Sequence, residues 1–228
     1  MTGRPAPAVL PSSLRPLLAL IAALATLVVA AIGVLYAGHS EPGRVDRWII
    51  APTADSVRPP WRYVALTLDF LGEPAGSAMV ILAAVVACLL LRRPRVAVLV
   101  VAGVGLTVGT ATLLKHVVGR TIHGAGNLSY PSGHTAFFTA LALTAALPAT
   151  GRLGIGRTAG MSVVLGAALA AGAAMGWAEV ALGAHYPTDA LGGWCTALAV
   201  IPATAWLVDR AADRRAVRAA DAGRVERR

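Results

Sequence analysis

Residues 17–37 form an unbroken apolar run, about the 20 residues a helix needs to cross a bilayer. The apolar core of a cleaved secretory signal is shorter, roughly 7–15 residues, so the run reads as an uncleaved first span. Five more apolar stretches follow at 75–91, 96–118, 132–147, 159–182 and 187–208. The last contains Pro202, an expected kink. Backbone polar groups in hydrocarbon must be satisfied within their own segment, which leaves helices or closed barrels. Runs of this length predict an all-α fold, a bundle of six transmembrane helices over 17–208. It is preceded by a polar segment, 1–16, and followed by a charged tail, 209–228. Hydrophobic residues make up 57% of the chain and charged ones 14%, against about 25% charged in a soluble domain. The excess has no place in one small core.

The net charge of +9 raises nucleic acid as a partner. No basic-aromatic module supports it, and most arginines sit in loops and a tail beside apolar runs, where they set membrane orientation. The partner expected from composition is the lipid bilayer. Cys88 and Cys195 each lie inside an apolar run. They read as inert buried thiols, with no metal-ligand spacing around them.

Six spans put both termini on one side. The N-terminal segment, the 92–95 turn, the 148–158 loop and the tail hold fourteen of the twenty Lys and Arg residues. The positive-inside rule therefore makes both termini cytoplasmic and turns the loops at 119–131 and 183–186 outward. Within 38–75, the longest polar segment, Val45, Trp48 and Ile49 follow helical spacing with Asp46 and Arg47 opposite. This predicts a short interfacial helix in the first outer loop. A short apolar piece at 63–71, broken by Asp69, follows it and ends at Gly72 and Pro74.

Three polar segments fall at the ends of spans on that outer face. The first holds Lys115, the only lysine in the chain, and Arg120. Both suit phosphate oxygens, and a guanidinium can bind two in parallel. The second is Pro131-Ser132-Gly133-His134. Ser132 reads as a helix N-cap, so the free N–H groups of the first turn and the helix dipole make an anion site. Gly133 allows close approach there. The third holds His185 and Asp189 at i, i+4. A carboxylate on one ring nitrogen leaves the other as base or nucleophile. Charges at the edge of a bilayer are costly and tend to mark function.

Together the segments resemble the type 2 phosphatidic-acid phosphatase family, which shares its core with vanadium haloperoxidases. The family motifs are Lys-x6-Arg-Pro, Pro-Ser-Gly-His and Ser-Arg-x5-His-x3-Asp, and the resemblance covers roughly residues 75–208. It implies hydrolysis of a lipid phosphate or diphosphate at the outer face of the cytoplasmic membrane. His185 would be the nucleophile that becomes a phosphohistidine, Asp189 its orienting carboxylate and His134 the general acid. Lys115, Arg120, Ser132 and Gly133 would hold the phosphate. The resemblance implies no cofactor and no metal, and no carboxylate cluster in the sequence suggests one.

Two positions depart from the family. Ile122, followed by His123, stands where the first motif has Arg-Pro, and Glu179, preceded by Ala178, stands where the third has Ser-Arg. Losing one preorganised oxyanion partner costs about 2.7–4 kcal/mol of transition-state stabilisation. Arg120 and His123 are the expected substitutes, and Glu179 is expected to face the pocket rim, paired with Arg120, His123 or Lys115. A catalytically weakened lipid-phosphate binder or transporter is the alternative. Vanadate-dependent halide oxidation is a third reading, opposed by the thinned oxyanion site.

Overall fold

The structure is a computed structural model that describes residues 7–225. Among them are a short 3-10 turn at Ser12–Leu14 and eight α-helices. These are α1 (Arg15–Leu35), α2 (Arg44–Asp55), α3 (Trp61–Gly72), α4 (Pro74–Leu90), α5 (Pro94–Val118), α6 (Gly133–Leu153), α7 (Arg157–Ala181) and α8 (Pro187–Val225). Helices α1, α5, α6, α7 and α8 are each long and apolar enough to cross a membrane. The pair α3–α4, bent by 73° at its break, passes the same test as one unit. Pro at the first position of α4 is preorganised to start that helix and has no N–H to leave unpaired.

Helix α6 lies at the centre, packed by α5, α7 and α8, while α1 runs along α8. The core joins Leu18 of α1, Leu99 and Val104 of α5, Phe137, Leu143 and Leu147 of α6, Val164 of α7 and Ile201 of α8. The outer faces carry exposed Leu27 and Val34 on α1 and Leu82 and Leu90 on α4, as side chains in contact with lipid would be. Helix α8 crosses the start of α6 with backbone against backbone. A Cβ at Gly193 would run into the Ser132 carbonyl, and the approach lets Ser132 N–H donate to the Asp189 carbonyl at 2.9 Å. Sequence-distant motif residues are thereby brought to one end of the bundle.

At the opposite end helix α8 continues through Asp209 to Val225, so the charged tail begins as a largely exposed extension of the last span. Asp209 is buried and accepts N–H from Val9 at 2.9 Å and Leu10 at 3.0 Å. Arg15 and Arg95 flank it at 3.9 and 3.8 Å. Backbone donors and cations around a buried carboxylate offset the cost of its burial. The outermost residues of the N-terminal segment and the tail lie outside the described residues.

The expected short helix forms as α2. Asp46 is buried against the bundle, and Val45 and Trp48 are exposed. The physical reason is a cation waiting inside, Arg120.

Candidate active site

Arg120 follows α5 and is fully buried. Its guanidinium donates to Asp189 Oδ1 at 2.7 Å, Asp46 Oδ2 at 2.7 Å and Thr188 Oγ1 at 2.6 Å. It lies 4.0 Å from the centre of the Tyr36 ring and 4.4 Å from that of Tyr186. Asp46 also accepts N–H from Gly43 and Thr188, both at 2.9 Å. Burial pushes the Asp46 carboxyl up, but the donors from Thr188, Arg120 and Gly43 outweigh it and hold the group below the usual carboxylate range. This placement corrects the expectation that Arg120 clamps phosphate. Two carboxylates and a hydroxyl hold its terminal nitrogens in a fully buried position, because α2 folds back onto the third motif.

Ser132 is the N-cap of α6, with Oγ accepting the Thr135 N–H at 3.2 Å. It is buried, and its own N–H is committed to Asp189, so it does not present itself to a phosphate as expected. The N–H groups of Gly133 and His134 in the first turn have no intrahelical acceptor. Tyr130, just before the motif, is buried and donates its hydroxyl to the Val29 carbonyl at 2.7 Å, tying the loop to α1.

His123 is exposed at positive φ, with Nε2 2.7 Å from the Gly183 carbonyl oxygen. It joins the two motif loops rather than replacing a phosphate-binding arginine. Ile122 is buried. Lys115 Nζ donates to the Leu128 carbonyl at 3.0 Å, which leaves two of its three donor protons for other partners.

His134, His185 and Glu179 meet where α6, α7 and the turn into α8 converge. His185 is 7% exposed and His134 is 22% exposed at the side chain. Burial lowers the His185 imidazole below its ordinary value, against the opposing pull of Asp189. His185 Nδ1 lies 3.6 Å from Asp189 Oδ2, the carboxylate expected to orient it. On its other side, Nε2 lies 3.6 Å from Glu179 Oε2. The same oxygen is 3.7 Å from His134 Nδ1. Glu179 is 1% exposed, and neither of its oxygens has a hydrogen-bond partner among the described residues. It does face basic nitrogens, but they belong to the two motif histidines rather than to Arg120, His123 or Lys115. It also sits deep in the site rather than at the rim.

A second group of carboxylates lies beyond His134. Its Nε2 is 3.9 Å from both Asp69 Oδ1 and Glu73 Oε1. The elbow between α3 and α4 carries both residues, and a Cβ at Gly72 would collide with the His134 imidazole. Trp177 of α7 holds this region from the other side. Its Nε1 donates to Ser56 Oγ at 2.9 Å, and its ring packs edge-on against Trp61. The absence of a carboxylate cluster expected from the sequence therefore fails. Asp69 and Glu73 stand at i, i+4 in a piece that ends at a proline, which was a legible signal of a turn facing the motifs. Glu73 is the most exposed of the set, at 54%, so the α3–α4 elbow is the open side of the site.

The arrangement offers two opposed imidazoles, one oriented by a carboxylate, beside an open helix start. Its charge is unlike that of a simple anion pocket. Asp69, Glu73 and Glu179 surround His134, with Lys115 as the one cation not paired to a carboxylate within 4 Å among the motif residues.

No curated protein matches the chain. Its structure is similar to the crystal structure of the first transmembrane PAP2 type phosphatidylglycerolphosphate phosphatase from Bacillus subtilis, with a TM-score of 0.55. The alignment covers 88% of this chain and 96% of that one at 19% identity, a likeness of fold. A family model for the PAP2 superfamily matches residues 96–213, more than half of the chain and the whole stretch from α5 to α8 that carries the motifs. The protein is an integral membrane member of the PAP2 superfamily.

Proposed function

We propose that the protein hydrolyses a membrane lipid phosphate or diphosphate at the motif end of the bundle, on the extracytoplasmic side. The observation that carries this reading is the opposed pair His134 and His185, with Asp189 behind His185 and the open first turn of α6 beside it. Binding alone needs no such constellation. The arginine-rich turns and tail at the other end support the sidedness.

In the covalent route implied by the family, His185 Nε2 attacks phosphorus in line. The bond from phosphorus to the lipid oxygen breaks, and His134 gives that oxygen its proton. His134 then activates a water that cleaves the phosphorus–nitrogen bond and releases inorganic phosphate. Asp189 orients His185, while Lys115 and the Gly133 N–H hold the phosphate oxygens.

The test is phosphate release by the purified chain from polyprenyl diphosphate, phosphatidic acid and phosphatidylglycerol phosphate. Wild type should release phosphate from one of them, and H185A and H134A should not. Glu179 in place of a family arginine favours a second reading, a lipid-phosphate binder that has lost its rate. Saturable binding with no release from any of the three lipids would select it.

A further inference from the structure

The tail end of the bundle, away from the motifs, carries a cavity of about 620 Å³ that catalysis does not use. Arg15 of α1 lines it together with Trp206, Arg210 and Arg214 of α8, beside Asp209 and Asp213. Both carboxylates are committed. Asp209 accepts the Val9 and Leu10 N–H groups, and Asp213 pairs with Arg95 at 3.3 Å. Arg15 donates to the Leu10 carbonyl at 3.4 Å and lies 3.9 Å from Asp209, but its Nε is buried without a hydrogen-bond partner among the described residues. Arg210 lies 4.9 Å from the centre of the Trp206 ring. Neither Arg210 nor Arg214 has a carboxylate within 4 Å among the described residues. Converging guanidinium groups with spare donors suit phosphate oxygens, which arginine binds two at a time.

An apolar groove of about 720 Å³ runs down α8 toward this cavity. Helices α1, α5 and α8 wall it, with Val29, Gly33, Leu106, Leu114, Val200 and Leu207 among the lining residues. Three of its threonines, Thr26, Thr196 and Thr204, donate their hydroxyls to the carbonyl four residues back at 2.8, 2.8 and 2.9 Å, so they ask no hydrogen bond of an occupant. Ala203, Leu207, Arg210 and Arg214 recur at i, i+4, i+7 and i+11, one face of α8. The wall of the groove thus continues into the arginines. The depth agrees. A hydrocarbon core of about 30 Å takes about 20 residues of helix, which counted from Pro187 ends near Leu207. Arg210 and Arg214 then stand among the head groups, and Trp206 stands at the interface where indoles concentrate.

We propose that the corner between α1 and α8 binds one anionic phospholipid of the leaflet at the tail end, with its phosphate among Arg15, Arg210 and Arg214 and an acyl chain in the groove. Charge complementarity selects the phosphate, and the join of cavity to groove selects a lipid, because a soluble phosphate leaves the groove empty.

Arginines at this end also satisfy the positive-inside rule. That rule needs only charge near the surface, which attracts the whole leaflet diffusely and holds no particular lipid. A cavity with an unpartnered buried N–H, opening below an apolar groove, holds one lipid in place. The site is remote from His134 and His185, and it takes its lipid whether or not the chain turns over a substrate.

The test uses the full-length chain in phosphatidylcholine nanodiscs doped with phosphatidylglycerol brominated in the upper part of its acyl chains. Bromine quenches tryptophan at short range, and the difference between wild type and W206F isolates Trp206. Quenching should saturate as the brominated phosphatidylglycerol is raised, and brominated phosphatidylcholine should need a far higher fraction. Each arginine near anionic head groups contributes about fivefold to association, so R210A/R214A should lower the preference for phosphatidylglycerol by about tenfold or more. Both side chains are exposed, and such substitutions change stability little; an unfolding temperature near wild type is the folding control. Equal quenching by the two lipids in wild type would overturn the proposal, as would an undiminished preference in folded R210A/R214A. H185A should keep the preference, and its loss there would move the lipid to the motif pocket and overturn the proposal. Added glycerol 3-phosphate should leave the quenching unchanged; relief of quenching would make a free phosphate the ligand and reject the lipid. No arm reads phosphate release, so failure of this site and failure of the phosphatase reading are told apart.

Discussion

Arg120 separates two accounts of this chain more sharply than any other residue. If it clamps phosphate, Arg120→Ala should raise KM and leave the fold intact. The structure assigns it a different task. The guanidinium is fully buried between the buried carboxylates of Asp46 and Asp189, with hydrogen bonds of 2.6–2.7 Å. Removing one partner of a buried ion pair costs about 3–5 kcal/mol, because the other charge stays behind unpaired. The faces of Tyr36 and Tyr186, at 4.0 and 4.4 Å, add about 1–2 kcal/mol. Each carboxylate keeps backbone donors, from Gly43 and Thr188 to Asp46 and from Tyr186 to Asp189, so the loss should not grow beyond that sum. The expected destabilisation is about 4–7 kcal/mol. For a chain of this length it lowers the unfolding temperature by at least about 8 °C. Thermal unfolding of the purified protein in detergent measures it. The pair also predicts coupling: R120A/D46N should be more stable than the sum of the single changes by about 1 kcal/mol or more. A folded R120A with the wild-type unfolding temperature and a raised KM would refute the reasoning and return Arg120 to the phosphate.

The same pair has a pH signature. The Asp46 carboxyl is held below its unfolded value of about 3.9, so its stabilisation is complete above that value and disappears as pH falls through the folded one. The stability gap between wild type and D46N, measured by unfolding across pH 3–7, should be constant near neutrality and close below about pH 4; a gap that widens on acidification would contradict the sign. At the opposite end, D209A strands the N–H groups of Val9 and Leu10, at about 1–3 kcal/mol for each buried group left unsatisfied. The variant should unfold earlier and expose the 7–14 segment to proteolysis. G72A drives a methyl into the His134 imidazole. Since a displacement of about 1 Å at a reacting group costs about 100-fold, turnover should fall by tenfold or more while the unfolding temperature stays within about 2 °C, and equal turnover would detach His134 from the elbow.

The features legible in the sequence were those set by neighbours along the chain. Apolar runs of span length predict helices because hydrocarbon leaves the backbone no other local solution, and α1, α5, α6, α7 and α8 form over those runs. Ser132 caps α6 because its hydroxyl reaches an N–H three residues on, and His185 comes within 3.6 Å of Asp189 because the short turn before α8 lies against that helix's first turn. The family resemblance was legible for the same reason, since its motifs are local spacings. Tertiary structure decided what the charges do. Asp46 and Arg120 are 74 positions apart, and only the fold of α2 onto α8 turns a presumed phosphate clamp into a buried strut. Asp69 and Glu73 reach His134 because α3 and α4 bend by 73° at their junction, an angle no local periodicity encodes. Glu179 reads in the sequence as a lost arginine. In the fold it is an unpaired carboxylate between two imidazoles, because α7 ends against the first turn of α6 and the turn before α8. Hydrophobic pattern specifies which segments enter the bilayer, whereas a charge acquires its chemistry from the partners that packing brings within a few ångströms.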